Sequence, residues 1–383
     1  MVQIAVMKRF TIFCVLFLFP PLLSAADKFP VAETLELYIK NGELPGIVTI
    51  IADKDSVLQV NTLGYADVES ERPMKSDTVF WIASQTKPVT AVAVMILVDE
   101  GKLSLTEPIT TYLPELTDLR VAIVKEDKCT VLVPVDKPIT LEMLLSHTAG
   151  FEFLTPFQSK HRIDSLPMSQ FVTTAAMTPM RTQPGTVYHY SNIGINLAGA
   201  AVERVAGMPF EEFLEKRLFE PLGMKETSFF PNEEQLERLA TAYSLDRERT
   251  KLVPARAGFA DFTASLQNHK VRYAEPGGGL FSTPSDLVKF FQMLQGNGEF
   301  NGKRILSEAA VKEIQTRHTG SLNVPYGLGV TTNNGEYGHG GALGTEAVVN
   351  TKNGRVLLYF IQHQGLEKSD EARRKFYEIG NRP

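Results

Sequence analysis

The sequence has little cysteine, and the two cysteines present do not predict a disulfide. They are Cys14 and Cys129 in a chain of 383 residues. Cys14 falls in an N-terminal apolar segment that we expect to be removed. Cys129 is then left alone, and the stability must come from a hydrophobic core. The seven histidines form no His-x-His or His-x-x-x-His pair, so no metal site is indicated.

Other missing features exclude further classes of protein. The net charge is −5 and there is no polybasic run suited to a membrane surface, so neither a nucleic acid nor a membrane surface is indicated as a partner. No Gly-x-Ser-x-Gly sequence occurs, and strand-like and helix-like segments do not alternate, which excludes an α/β-hydrolase. The composition, 43% hydrophobic and 22% charged, is that of a globular protein with a large core.

Residues 1–26 have the pattern of a cleaved signal peptide. Lys8 and Arg9 precede the apolar run FTIFCVLFLF, and small residues lead up to Ala26. The run is too short to span a bilayer comfortably. An uncleaved membrane anchor is the alternative. We therefore expect a periplasmic or secreted protein with no stable membrane insertion after cleavage.

Strand-like segments lie at the two ends of the chain and helical periodicity fills the middle. A helix over 29–42 precedes a hairpin over 46–67, and the C-terminal strands precede a closing helix over 366–380. Six helices are predicted between these ends, over 88–100, 140–146, 193–206, 208–218, 285–296 and 307–317. The C-terminal strands are predicted at 326–332, 344–351 and 355–364.

The simplest assembly is an α/β (α+β) fold in one domain, residues 27–383. Both termini, about 29–83 and 318–383, would build one antiparallel sheet flanked by helices. The region of about 84–317 would be an inserted helical subdomain, with an irregular insert near 119–138. The cleft between the sheet and the helical region is where a site is expected.

The stretch FWIASQTKPVT carries the first candidate site. Pro88 is tolerated only in a first helical turn, so the helix should begin near Ser84. Lys87 lies three positions later, on the same face as Ser84. A serine becomes a nucleophile when a base removes its proton, and a lysine serves as that base if burial lowers its pKa. The alternative is that Ser84 caps the helix and Lys87 is solvated.

The second candidate is Tyr190-Ser191-Asn192, in a loop just before a predicted helix. A tyrosine there can transfer protons, and an amide can orient a lysine or a substrate carbonyl. The alternative is that Asn192 caps the helix and Tyr190 packs.

The third candidate is the stretch His339-Gly340-Gly341-Ala342, which leads into a strand. Its glycines permit close approach of a ligand or a second strand. The N–H of Ala342 could pair with that of Ser84 to hold an oxyanion. The alternative is an ordinary glycine-rich turn. His318-Thr319-Gly320 looks similar but ends a helix, so we reject it.

The three stretches together, in this order, resemble the serine β-lactamase and penicillin-binding-protein superfamily on its class C side. That group includes class C β-lactamases, D-alanyl-D-alanine peptidases and family VIII carboxylesterases. The resemblance extends from about residue 34 to 365 and includes the segments ITLEMLLSHTAGF (139–151) and PGGGLFSTPSDLVKFFQMLQGNG (276–298). It implies the β-lactamase/transpeptidase-like fold and no cofactor.

The resemblance also assigns roles. Ser84 would be the acylated nucleophile, and Lys87 and Tyr190 would share the proton transfers. Asn192 would hold Lys87 and contact the substrate. The remaining substrate-binding and oxyanion residues would be His339, Gly340, Gly341 and Ala342. His147, in the SHTAG turn, is expected to be structural.

The third stretch departs from the β-lactamases, because it begins with His339 where they have lysine. A neutral imidazole attracts a substrate carboxylate less than an ammonium does. The departure favours a carboxylesterase that acts on small or medium acyl esters. A β-lactamase or D-Ala-D-Ala peptidase acting on amides, and a wall-binding module with an inactive site, remain the alternatives.

Overall fold

The computed structural model describes residues 29–126, 128–161, 164–255 and 272–382. The predicted signal peptide, residues 1–26, and Cys14 lie outside these residues. The signal peptide therefore stays a prediction. Among the described residues, no helix is both long enough and apolar enough to cross a membrane.

Seven strands in the described part of the chain form one antiparallel sheet, in the order β12-β13-β14-β15-β1-β2-β3. The central pair joins the two ends of the chain, since β1 pairs with β15. The other strands form small two-stranded ribbons. The bounds are β1 Gly46–Ala52, β2 Val57–Asp67, β3 Arg72–Pro73, β4 Phe80–Trp81, β5 Arg120–Val124, β6 Thr130–Pro134, β7 Tyr243–Leu245, β8 Leu252–Pro254, β9 Phe281–Ser282, β10 Glu299–Phe300, β11 Lys303–Arg304, β12 Thr331–Asn333, β13 Glu336–Gly340, β14 Glu346–Asn350 and β15 Arg355–Phe360.

The helices lie on both faces of this sheet and in the region between its two halves. A π-helical turn, Glu215–Phe219, separates α7 from α8. The α-helices are α1 Val31–Lys40, α2 Thr86–Asp99, α3 Leu141–Leu145, α4 Pro156–Lys160, α5 Met168–Ala176, α6 Asn192–Ala206, α7 Phe210–Leu214, α8 Glu220–Leu222, α9 Glu233–Glu237, α10 Pro284–Gln295, α11 Glu308–Gln315 and α12 Glu367–Gly380.

The central strands β1 and β15 are mainly apolar because both of their faces are buried. In β1, Val48 and Ile50 point into the core that contains α2 and α10. Ile47 and Ile51 point to the opposite face, which α1 and α12 cover. Successive side chains of a strand alternate between faces, so a sheet covered on both sides lacks a polar stripe.

Helix α2 is the most deeply buried helix near the site. Its residues from Thr86 to Leu97 are all buried, including Lys87. It packs mainly on α6, which follows the Tyr190 loop. The helix that begins beside Ser84 is therefore held on all sides by the core, and it provides a rigid base for the side chains in its first turn.

The predicted fold is confirmed, and both termini build the antiparallel sheet. Two local predictions were wrong. The insert near 119–138 is a regular hairpin of β5 and β6, joined by the turn that carries exposed Cys129. In the stretch 326–332 only Thr331 and Thr332 are in a strand, because Gly327 and Gly329 pack closely against Ile314 O and Lys87 O.

Candidate active site

Ser84 lies on a short 3-10 turn, Ala83–Gln85, that connects β4 to α2. The turn begins sharply, because Ala83 has a φ of 45°, a left-handed value that is uncommon for a residue with a side chain. Ser84 remains partly accessible, whereas its neighbours on both sides are buried. Pro88 lies in the first turn of α2, as predicted.

Ser84 does not cap the helix. The residue before α2 is Gln85, and no side chain accepts a capping hydrogen bond there. The contact of the Ser84 hydroxyl is with Lys87, whose Nζ lies 3.1 Å from Oγ. The helix-cap alternative is therefore wrong, and so is a solvated Lys87, whose side chain is fully buried.

Nζ of Lys87 lies among three oxygen atoms. Besides Ser84 Oγ, it is 2.8 Å from Oδ1 of Asn192 and 2.5 Å from the carbonyl oxygen of Gly277. A carbonyl oxygen can only accept hydrogen bonds. In a neutral lysine the two N–H bonds are thus directed at Asn192 and Gly277, and the nitrogen lone pair faces the Ser84 hydroxyl. This is the orientation that a base for Ser84 requires.

Burial also adjusts the electrostatics of Lys87. It lowers the pKa of the ammonium well below the ordinary value of 10.5, because a buried cation loses its hydration. The carboxylate of Glu275 acts in the opposite direction and raises this pKa. The neutral form of Lys87 is therefore accessible at a pH far below the one at which a solvated lysine loses its proton.

Ser191 fixes the Tyr190 loop at the start of α6. Its hydroxyl accepts a hydrogen bond from Gly194 N–H at 3.1 Å and caps the helix. Asn192 is consequently the first helical residue, and its side chain is directed at Lys87. The alternative in which Asn192 caps the helix is wrong, since Ser191 has that role.

Tyr190 is packed beside both Ser84 and Lys87. Nζ of Lys87 lies 4.7 Å from the centre of the tyrosine ring. Burial raises the pKa of the Tyr190 hydroxyl, and a hydrogen bond with Ser84 lowers it. At neutral pH the Tyr190 hydroxyl is protonated and can donate its proton. It is not a phenolate in the resting site.

The third predicted stretch lies on the sheet edge next to Ser84. We predicted that His339 and Gly340 precede a strand. They instead lie within one, at the end of β13. A Cβ on Gly341 would lie 2.4 Å from the carbonyl oxygen of Ile82, two residues before Ser84. Glycine permits this close approach. Ala342 follows and is exposed, and its N–H has no hydrogen-bond partner in the described part of the chain.

His339 is buried and both of its ring nitrogens have partners. Nδ1 lies 2.7 Å from the carbonyl oxygen of Gly340, and Nε2 lies 2.9 Å from the hydroxyl of Tyr326. Burial, and to a lesser extent the nearby charge of Lys87, lower the pKa of His339 to about 3. The ring is neutral at neutral pH and presents no cation to a substrate.

Glu275 was not among the residues predicted from the sequence, and its carboxylate is completely buried beside Lys87. A Cβ on Gly277 would lie 2.7 Å from Oε1 of Glu275, and one on Gly278 would lie 3.3 Å from Oε2. The EPGGG loop therefore encloses the carboxylate and supplies the Gly277 carbonyl to Lys87. Burial raises the pKa of Glu275, and the charge of Lys87 opposes this effect. The available signal was an acidic residue separated from a run of three glycines by one proline, Pro276.

The chain belongs to the Beta-lactamase family, whose model matches residues 31–381. Protein Rv1367c of Mycobacterium tuberculosis strain H37Rv is 33% identical over 356 residues, which cover 84% of this chain and 86% of that protein. Lovastatin esterase of Penicillium rubens is 32% identical over 300 residues, 75% of this chain and 72% of that protein. The solved structure of EstCE1, a hydrolase with promiscuous acyltransferase activity, has a TM-score of 0.77 at 24% identity, with 91% of this chain and 97% of that chain covered. The predicted family is thereby confirmed.

Proposed function

We propose that this protein is an exported serine carboxylesterase that forms an acyl-enzyme on Ser84. The observation that carries the proposal is the position of Lys87 Nζ, 3.1 Å from Ser84 Oγ and bonded to two groups that accept hydrogen bonds. This arrangement directs the lone pair of a neutral lysine at the serine proton. Family membership and an esterase relative that is 32% identical support the same class of reaction.

The reaction proceeds in two steps. Ser84 Oγ attacks the ester carbonyl carbon while its proton passes to Lys87, with Tyr190 taking part in the transfer. The oxyanion of the tetrahedral intermediate rests on the N–H groups of Ser84 and Ala342. The C–O bond to the leaving alcohol then breaks, and the alcohol takes up the proton. Water attacks the acyl-enzyme with the same groups acting in reverse, and the free acid leaves.

The preference for esters over β-lactams rests on His339. In the β-lactamases that the sequence resembles, a lysine stands here and helps to hold the substrate carboxylate. The His339 imidazole is neutral, and its two nitrogens are engaged by Gly340 and Tyr326. A substrate carboxylate would find no cation at this position, so neutral acyl esters fit the site better.

Hydrolysis of amides is the second candidate, because the environment of Lys87 serves acylation by an ester or an amide equally well. A class C-like β-lactamase or a D-Ala-D-Ala carboxypeptidase would use the same Ser84, Lys87 and Tyr190. A non-catalytic binding module is disfavoured, because the contacts of Lys87 with Ser84 and Asn192 are those that a base for Ser84 would need. Export to the periplasm or the medium is proposed from residues 1–26 alone.

Two assays on purified residues 27–383 test the proposal, with Ser84→Ala as the control. One uses p-nitrophenyl acetate and butyrate, and the other a chromogenic cephalosporin. We expect fast ester turnover and weak cephalosporin turnover, both lost in Ser84→Ala. Comparable cephalosporin turnover would favour the β-lactamase. No turnover and no labelling by several fluorophosphonates, in a folded protein, would favour the binding module.

A further inference from the structure

A continuous chain of buried polar groups runs behind Tyr190. The Ser191 N–H lies 3.1 Å from Nδ1 of His147, and Nε2 of His147 lies 3.2 Å from the hydroxyl of Tyr326. The same hydroxyl lies 2.9 Å from Nε2 of His339, whose Nδ1 lies 2.7 Å from the Gly340 carbonyl oxygen. One tyrosine hydroxyl thus joins the histidine of the SHTAG turn to the histidine at the sheet edge.

The groups at the two ends of this hydrogen-bonded series, the Ser191 N–H and the Gly340 carbonyl, determine the direction of every hydrogen bond in it. A backbone N–H only donates, so Nδ1 of His147 accepts and its proton is on Nε2. A carbonyl oxygen only accepts, so the proton of His339 is on Nδ1. The Tyr326 oxygen then accepts from His147, and its O–H donates to Nε2 of His339. With both rings neutral, every donor in the chain meets an acceptor.

Burial deprives these groups of alternative hydrogen-bond partners. Tyr326 is 0% exposed, His147 is 2% exposed and His339 is 7% exposed, so water does not replace a missing partner. Burial also lowers the pKa of both histidines, which favours the neutral rings that the chain requires. The other titratable groups that act on the chain are Lys87, Tyr188, Tyr190 and His189.

This series of hydrogen-bonded groups lies beside the proposed catalytic groups. The ring centre of His147 lies 4.4 Å from that of Tyr190, and the ring centre of His339 lies 6.1 Å from it. Both rings therefore restrict where Tyr190 can move. Tyr326 itself belongs to the stretch PYGLGV, to which sequence analysis gave no role beyond a strand.

We propose that Tyr326 is a positioning and specificity-determining residue, which holds His147 and His339 in opposite neutral tautomers. The two fixed rings keep Tyr190 in place for proton transfer, a role that rests on the proposed function. The Tyr326 O–H donates to Nε2 of His339, so this nitrogen does not take up the proton that would turn the ring into an imidazolium able to attract a substrate carboxylate. The site therefore selects neutral substrates through the hydrogen bond from the Tyr326 hydroxyl to Nε2 of His339.

The tautomers can be read directly from the full mature chain with ¹⁵N-labelled histidine, by long-range ¹H–¹⁵N NMR at neutral pH. His147→Gln and His339→Gln variants assign the two signals. We expect a proton on Nε2 of His147 and on Nδ1 of His339. The spectrum needs no substrate, so its outcome is independent of whether the protein is an esterase. The same tautomer in both rings would overturn the assigned directions of these hydrogen bonds.

Tyr326→Phe then tests the role of the hydroxyl. We expect the His339 signal to leave the single Nδ1–H state, and kcat for p-nitrophenyl butyrate to fall about tenfold, the rate equivalent of one buried hydrogen bond. The ratio of kcat/KM for p-nitrophenyl hemisuccinate to that for p-nitrophenyl butyrate should rise. Tyr337→Phe, which removes a buried hydroxyl on the same strand as His339, is the matched control and should change none of these three readouts. An unchanged His339 signal, an unchanged kcat or an unchanged ratio in Tyr326→Phe would overturn the corresponding part of the proposal.

Discussion

Nζ of Lys87 lies 2.5 Å from the carbonyl oxygen of Gly277. This contact orients the lysine, because a carbonyl cannot donate a hydrogen bond and therefore always takes an N–H from Nζ. Asn192 Oδ1 takes a second N–H at 2.8 Å. What remains on a neutral Nζ is the lone pair, directed at Ser84. The account of the site depends on this lysine being a base and not only a positive charge.

Two substitutions of Lys87 separate these roles. An arginine keeps the positive charge but holds its proton at all accessible pH values, and a methionine removes both charge and base. We expect both variants to lose ester turnover by about 10³-fold, within the usual range for loss of a general base. Steady-state kcat/KM with p-nitrophenyl butyrate measures this. Lys87→Arg with near wild-type turnover would show that charge alone suffices. Lys102→Met, at an exposed lysine paired with Glu100, is the control.

Glu275 should influence the pH dependence of the reaction. Its negative charge raises the pKa of Lys87, so Glu275→Gln should lower that pKa further. The acid limb of the kcat/KM profile should then move to lower pH, by about one pH unit for an opposite charge at close range. We also expect kcat to fall, because the ammonium formed during the reaction loses a counter-charge. A limb that stays in place or moves upward would contradict this role.

Gly341 should be needed for the close approach of the sheet edge to Ser84. A methyl group there would lie 2.4 Å from Ile82 O and 2.4 Å from Oγ1 of Thr345, so the strand end would have to move and carry the Ala342 N–H with it. We expect Gly341→Ala to lower kcat by about 10²-fold, as for loss of one oxyanion donor. Gly340→Ala is the matched comparison, since its nearest neighbour would be 3.8 Å away. Equal effects of the two substitutions would contradict the prediction.

Buried His339 and half-buried His363 should make the fold sensitive to acid. Burial lowers the pKa of His339 to about 3 and that of His363 to about 4. In the unfolded chain both take up protons near pH 6.5, so below that pH the unfolded state binds more protons. The free energy of unfolding then falls as the pH falls from about 6.5 toward these folded-state values, by about 1.4 kcal/mol per pH unit for each histidine. The raised pKa of Glu275 acts in the opposite direction and offsets part of the loss.

Urea unfolding at several pH values between 7.5 and 5.5 measures this dependence. His363→Gln removes one of the titrating groups, so the slope of the unfolding free energy against pH should be lower than in wild type, and the difference should approach about one proton near pH 5.5. The comparison of slopes is independent of the baseline loss caused by removing the hydrogen bond from Leu366 N–H to Nδ1 of His363. A slope identical to that of wild type would show that His363 is not held neutral.

The residues that could be predicted from sequence are those with a local signature. Ser84 and Lys87 share one helix turn, and Pro88 marks where that turn begins. Tyr190 precedes a helix start, and the glycines around His339 mark a close approach of backbones. The single antiparallel sheet followed from strands at both ends of the sequence. Each of these inferences needs only a few neighbouring residues.

The features that sequence analysis missed depend on contacts between distant segments. Glu275 becomes significant only because the glycine run after it bends beside Lys87, almost two hundred positions earlier in the chain. Tyr326 gains its role from two histidines that are far apart in the sequence, His147 in the SHTAG turn and His339 in β13. Ser191, not Asn192, caps α6, and the loop geometry that decides between them is set by bonds to Glu152 and Phe153.

The most direct test of the central claim is to trap the covalent intermediate. The mature protein is mixed with p-nitrophenyl butyrate, quenched in acid within milliseconds, digested and examined by mass spectrometry. The account predicts a butyryl group on the peptide that contains Ser84, formed at the rate of the initial p-nitrophenol release and absent in Ser84→Ala. Ester turnover that persists in Ser84→Ala, or a butyryl group on another residue, would contradict it.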